Sequence, residues 1–248
     1  MKAASSSETR QLTPLLQLVR ECSVDAFRWI RSRATVVLLF LGFFGVGLIY
    51  LFPQDSVLLE ELRVSKTSEI KPAAKFISEA GDFVPFTLLP LSLLFGMATI
   101  LKSDRMRRVT VAVLLASIFA GLTANVLRPT FGRARPDSKV EQGFHGPTMS
   151  ARKHGFPSAH TSTAMGTAAP VLFASPVVGV PLAVVAGSVG WSRLALNRHH
   201  PADVYAGAMI GIFWGMAFGL PLRRCRMKAP KTRALGISEA EDHRLHPA

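Results

Sequence analysis

Between residues 192 and 203 the chain places Ser192, Arg193, Arg198, His199, His200 and Asp203 in a gap between two apolar runs. These residue types suit phosphate chemistry. An imidazole attacks phosphorus, a guanidinium forks onto phosphate oxygens, and a carboxylate orients an imidazole. Two further clusters carry matching groups. One holds Arg128, Arg133 and Arg135, and the other holds Ser158, Ala159 and His160. The spacing has local logic. Pro157 and Ser158 read as a helix start with Ser158 as the cap, which leaves free N–H groups and a positive dipole end to face an anion. His160 then sits in the first turn. Pro201 suits the first position of another helix, with His199 just before it and Asp203 in its first turn, within hydrogen-bonding reach of His199. Arg128, Arg135 and Arg193 are placed to surround a phosphoryl group.

The elements that must position these groups are apolar blocks. Charged residues make up 18% of the chain and mean hydropathy is +0.29. That is low in charge for a soluble domain. Six blocks, at about 34–52, 83–101, 109–127, 158–176, 177–196 and 204–222, each match the ~30 Å hydrocarbon thickness at 1.5 Å per residue. The expected fold class is therefore all-α: a six-transmembrane-helix bundle over 33–222, followed by a basic tail over 223–248. Pro85 and Pro90 should kink the second block. Pro176 and Pro181 favour a break between the fourth and fifth. Residues 1–13 read as disordered, and 14–31 as an amphipathic helix. That helix either lies on the membrane surface or packs on the bundle. A short helix is expected near 71–80.

The net charge is +13, from 29 basic and 16 acidic residues. No soluble basic domain is present to carry nucleic acid, so the charge points to an anionic lipid or substrate. Seventeen Lys and Arg fall before the first block, between the second and third, and after the sixth. Twelve fall in the other three links. This bias puts both termini in the cytoplasm and all three clusters on the outer face. Cys22 and Cys225 have no CxxC spacing and read as neither a disulfide nor a metal site. No signal-peptide pattern opens the chain. Each cluster residue alone has a structural reading: Asp203 as a dipole partner, Ser158 as a cap, the arginines as interfacial anchors. Three such clusters on one membrane face favour function.

At these residues the sequence resembles the type 2 phosphatidic acid phosphatases, lipid phosphate phosphatases that share a fold with vanadium haloperoxidases and bacterial acid phosphatases. The family's first motif is Lys, six residues, then Arg-Pro. Here Arg128 stands for the Lys, and Arg135 and Pro136 match. The second, Pro-Ser-Gly-His, reads Pro157, Ser158, Ala159 and His160. The third is matched throughout by Ser192, Arg193, His199 and Asp203. The likeness covers about 85–222.

The resemblance implies a metal-independent, cofactor-free phosphatase that acts on a membrane lipid phosphate. Phosphatidic acid, phosphatidylglycerol phosphate, undecaprenyl (pyro)phosphate and lipid A are its candidate substrates. It also implies a bacterial inner membrane with the site facing the periplasm. His199 would take the phosphoryl group, Asp203 would orient it, and His160 would move protons. Arg128, Arg135, Arg193, Ser158 and the Ala159 N–H would hold the phosphate. His200 is a rival nucleophile that does not fit the family spacing. Arg133, Lys139, Arg152 and Lys153 read either as headgroup ligands or as general lipid-surface charge. His145 and His154 read either as plain loop residues or as groups that help bind substrate. A lipid phosphotransferase and a non-catalytic transporter or scaffold are the alternatives.

Overall fold

The computed structural model describes residues 3–65, 67–79 and 81–227; for 3–13 and 224–227 it describes the backbone alone. Helices follow in the order α1 (Ala3–Ser32), α2 (Ala34–Leu51), α3 (Asp55–Leu62), α4 (Ile70–Glu79), α5 (Leu89–Ile100), α6 (Asp104–Phe131), α7 (Ala159–Ala174), α8 (Pro176–Ala195) and α9 (Pro201–Met227). Among the described residues there is no strand beyond an isolated bridge between Arg133 and Phe144. The expected basic tail beyond residue 227 and the Cys225 side chain lie outside the described residues.

Local chemistry explains the helix ends. Ser103 caps α6, its hydroxyl accepting from Met106 N at 3.3 Å, and Asp104 meets the positive dipole end. The same helix stops at Gly132, in the left-handed region at φ +59°, whose N–H donates to Arg128 O at 3.0 Å. A Cβ at Gly132 would stand 2.0 Å from Gly146 O, so only glycine fits. The break expected near Pro176 is present. Ser175 is extended at φ −152°, and Pro176 opens α8. Gly179 permits the tight return, because a Cβ there would meet Leu172 Cα at 2.1 Å.

The bundle is held by small residues. Gly207, Gly211, Gly215 and Gly219 recur every four residues along α9 and face α7. Added Cβ atoms would stand 2.4 Å from Ser158 O, 2.7 Å from Gly166 N, 2.3 Å from Ala169 Cβ and 2.5 Å from Pro170 O respectively. Close backbone approach of this kind drives helix association in lipid, where no hydrophobic force separates helix from solvent. Gly211→Leu should therefore force α7 and α9 apart at a cost of about 1–3 kcal/mol or more. Gly187→Leu, where nothing lies within 4 Å of the added atom, should be near neutral. Thermal unfolding of both variants in detergent checks this.

The N-terminal segment resolves one expectation. Cys22, Ala26 and Trp29 of α1 are buried with Val111, Ala112 and Ala116 of α6 and with Ala217 and Phe218 of α9. Arg108 donates to Glu21 at 3.2 Å and Asp25 at 2.7 Å. The helix packs on the bundle. Its backbone is already helical from Ala3, where disorder was expected up to residue 13.

The six-span expectation is met only in part. Among the described residues, four helical stretches are long and apolar enough to cross a membrane: Ala34–Leu62, Asp104–Phe131, Pro176–Ala195 and Pro201–Arg223. A fifth exists if Ile70–Glu79 and Val84–Ile100, bent by 68°, form one span. The bend lies at the break between Glu79 and Val84, and the wide turn at 84–88 that follows contains Pro85. The fourth block, expected at 158–176, is a helix of 16 residues, about 24 Å long, enclosed by α6, α8 and α9. Helix α2 has no buried residue. It presents Leu38, Leu39, Phe43, Val46 and Ile49 outward, as a lipid-facing helix does.

Candidate active site

The end of α6, the start of α7, the end of α8 and the start of α9 converge. The first turns of α7 and α9 are tied directly, because Ser158 N donates to Asp203 O at 2.9 Å. Ser158 holds the expected cap position but makes no capping bond. Its hydroxyl instead accepts from Thr161 Oγ1 at 2.9 Å. The Ser158 hydroxyl proton and the three N–H groups ahead of Ser162 N, which makes the first helical bond at 3.0 Å to Ser158 O, are left to other acceptors.

His199 is fully buried between α8 and α9. Its Nδ1 lies 2.7 Å from Gly155 O. A carbonyl only accepts, so Nδ1 carries the hydrogen and Nε2 carries the lone pair. Nε2 is buried and has no hydrogen-bond partner. Burial pushes the imidazole down to about 4. The Asp203 carboxylate opposes that shift, and Arg193 and Arg128 add to it. The ring is thus neutral near pH 7, with an available lone pair. Gly155 was not foreseen as its partner. A Cβ on that residue would stand 2.9 Å from Arg133 O and 3.0 Å from Ala134 O, so its approach to His199 requires glycine.

Asp203 is fully buried and differs from expectation. Its Oδ2 is 3.6 Å from His199 Nδ1, too long for a hydrogen bond, and acts there as a nearby charge. Its hydrogen bonds come from Arg133 Nη1 to Oδ1 at 2.7 Å and from His200 N to Oδ2 at 2.8 Å. The other Arg133 amino group donates to Asp55 Oδ2 at 2.5 Å, and Asp55 Oδ1 accepts from Ala202 N at 2.7 Å. The guanidinium also lies over the rings of Phe52 and Phe144, 5.1 and 5.2 Å from their centroids. The headgroup reading of Arg133 is therefore corrected. The side chain is buried, and both amino groups are taken up by carboxylates.

His160 Nε2 pairs with Asp82 Oδ1 at 3.0 Å. Arg193 is buried and donates from Nη1 to the Ser78 hydroxyl, while its Nε has no partner. Arg135 Nε is likewise buried without a partner. Burial, first, lowers the Arg135 guanidinium from its ordinary value. Arg128 donates to His154 O at 3.1 Å and Asn125 Oδ1 at 3.2 Å. His200 is buried, and its Nδ1 stands 3.4 Å from Asp203 Oδ2. Lys139 and Arg152 are exposed on the 132–158 loop, and Lys153 is half-buried. His145 and His154 bond to Glu141 O and Thr148 O within that loop.

The convergence of His199, His160, Arg128, Arg135, Arg193 and the α7 first turn suits an anion with one nucleophilic nitrogen beside it. Sequence reasoning missed Asp55, Ser78, Asp82 and Gly155.

Residues 109–222 match the PAP2 superfamily. A lipid A 1-phosphatase of Rhizobium etli is 32% identical over 111 residues, which cover 44% of this chain and 48% of that protein. An undecaprenyl-diphosphatase of Bacillus subtilis is 32% identical over 108 residues, covering 43% and 55%. The chain thus spans about half the length of the curated relatives it matches. Two crystal structures share the fold. Aquifex aeolicus LpxE has a TM-score of 0.51 at 22% identity, over 66% of this chain and 93% of that one. A PAP2-type phosphatidylglycerolphosphate phosphatase from Bacillus subtilis has a TM-score of 0.55 at 20% identity, over 80% and 97%. All three charged motifs lie inside the stretch that is similar to the PAP2 superfamily, in order.

Proposed function

We propose that this chain is an integral-membrane lipid phosphate phosphatase working through a phosphohistidine. The observation that carries the reading is His199. It is neutral and buried, and its hydrogen is committed to Gly155 O, so Nε2 has a lone pair in the field of Arg193 and Arg128. In the first step Nε2 attacks phosphorus and the bond to the lipid oxygen breaks. Protonated His160 gives its proton to that oxygen. The phosphorylated ring is cationic, and both Gly155 O and Asp203 stabilise it. In the second step His160 takes a proton from water as the water oxygen bonds to phosphorus and the P–N bond breaks. Phosphate leaves, and His199 returns neutral. Arg128, Arg135, Arg193, the Ser158 hydroxyl and the Ala159 N–H hold the equatorial oxygens throughout. Lys139, Arg152 and Lys153 meet the headgroup.

The topology in this reading has six crossings, with the short α7 as a crossing enclosed by the others. Both termini lie in the cytoplasm of a bacterial inner membrane, and the site opens outward. The Lys and Arg distribution and the lipid-facing apolar surface of α2 support this. Residues 1–32 form the N-terminal packing element, 33–222 the phosphatase, and 223–248 the basic tail. The printed activities of the curated relatives support lipid A and undecaprenyl diphosphate as candidates, beside phosphatidylglycerol phosphate and phosphatidic acid.

The test is phosphate release from these four lipids by detergent-purified protein with EDTA present. Release that persists in EDTA supports the reading. A requirement for a divalent metal would sink the mechanism. Phosphate transfer only in the presence of an acceptor lipid would make the protein a phosphotransferase.

A further inference from the structure

The superfamily match begins at residue 109, yet several bonds that hold the charged cluster come from residues 55–82. Asp55 opens α3, is buried, and takes both Arg133 and Ala202 N. Ser78 lies on the buried face of α4 and accepts from Arg193. Asp82, just past α4, pairs with His160 Nε2 at 3.0 Å. One short arm therefore reaches a residue of each motif cluster.

The arm is itself fastened to the bundle. Val64 N donates to Ala195 O at 2.9 Å, at the end of α8. Ala74 and Ser78 share the buried face of α4, which rests on α8. Gly81 runs so close to the site that a Cβ would stand 3.3 Å from His160 Cδ2 and 2.6 Å from Val189 Cγ1. Such proximity fits an arm held in one register rather than a free link between spans.

We propose that the 55–82 arm is a positioning element of the active site, with Ser78 fixing the Arg193 fork and Asp82 fixing the His160 ring. This rests on the phosphatase reading above. The physical reason is geometric. Arg193 Nε is buried with no partner, and Nη1 donates to the Ser78 hydroxyl, so the direction of the fork depends on that hydroxyl. His160 is part-exposed at the mouth of the site and needs a partner to hold one ring orientation. Asp82 engages Nε2 and leaves Nδ1 as the nitrogen that exchanges a proton. A general acid loses rate when its orientation is lost, even with the acid present.

The test measures kcat, KM and thermal stability in detergent for Ser78→Ala, Asp82→Asn and Asp82→Glu, with Glu79→Gln as the control on the exposed face of the same arm. The substrates are phosphatidic acid, phosphatidylglycerol phosphate, undecaprenyl diphosphate and lipid A. For Ser78→Ala and Asp82→Asn, kcat should fall about tenfold while KM stays within about twofold. Asp82→Glu should recover most of the loss, and Glu79→Gln should match the parent protein. The melting temperature of Asp82→Asn should be unchanged, because Asp82 is half exposed. Parent-like kcat in both Ser78→Ala and Asp82→Asn overturns the proposal. So does a loss in Asp82→Asn that Asp82→Glu shares and that tracks a fall in melting temperature, since that marks a purely structural contact. If the parent protein itself releases phosphate from none of the four lipids, the phosphatase reading falls, and this inference with it.

Discussion

His199→Ala should abolish phosphate release, lowering kcat by about 10³-fold or more, while leaving the fold intact. The magnitude follows from what is removed. The remaining arginines and N–H groups still bind and polarise the phosphate, but no atom is left to attack it. The fold should survive because His199 donates one hydrogen bond, to Gly155 O, and its other ring nitrogen has no partner. His200→Ala separates the two neighbours. His200 reaches Asp203 through its backbone N, which alanine keeps, so that variant should retain much of the activity. The pH dependence carries a second signature. The folded value of His199 is pushed down to about 4, below the ordinary value of about 6.5. Its neutral form persists through mildly acid pH, so the limb it imposes on activity should lie near pH 4. Stability behaves differently. The unfolded chain binds the proton first, so the stability contributed by neutral His199 is present above about pH 6.5 and is lost as pH falls toward 4. Melting temperature measured from pH 7 to 4.5 should decline more steeply for the parent protein than for His199→Ala.

Arg133→Met should destabilise the protein by about 3–5 kcal/mol, because it leaves Asp55 and Asp203 buried without their shared counter-charge. In a chain of this size that corresponds to a fall of about 10 °C in melting temperature. Arg133→Lys should recover little, since one ammonium cannot reproduce a planar fork that spans two carboxylates. Lys139→Ala and Arg152→Ala, both on the exposed loop, should leave the melting temperature unchanged. If Arg133→Met melted with the parent protein, the buried bridge would not be holding α3, the 132–158 loop and α9 together. The variant should also lose activity beyond its stability loss, because Asp203 would no longer be held 3.6 Å from the His199 ring.

Much of the scaffold was legible because apolar blocks and prolines act locally. The helix break before Pro176 and the short helix near residue 75 follow from neighbouring residues. What the apolar blocks alone did not reveal was how each one packs. The α7 helix is short and enclosed, and its small residues serve the glycine face of α9 rather than lipid. The docking of α1 depended on a tertiary choice that an amphipathic pattern leaves open. The site divides in the same way. The three motifs place His160, His199 and Asp203 at helix starts, where sequence signals are strong. The partners that fix these groups do not announce themselves. Gly155 lies 44 residues from His199, Asp82 lies 78 from His160, and Ser78 lies 115 from Arg193. No local pattern encodes such pairs. Arg133 was misread for a related reason. An arginine in a charged, glycine-rich loop looks exposed until the fold supplies two carboxylates.

The central claim is that His199 Nε2 takes the phosphoryl group. The direct measurement is rapid quenching of protein mixed with ³²P-labelled lipid phosphate, followed by mapping of the labelled peptide. An acid-labile, alkali-stable label is expected on His199, absent in His199→Ala and present in His200→Ala. A label on His200 or on any other residue would contradict it.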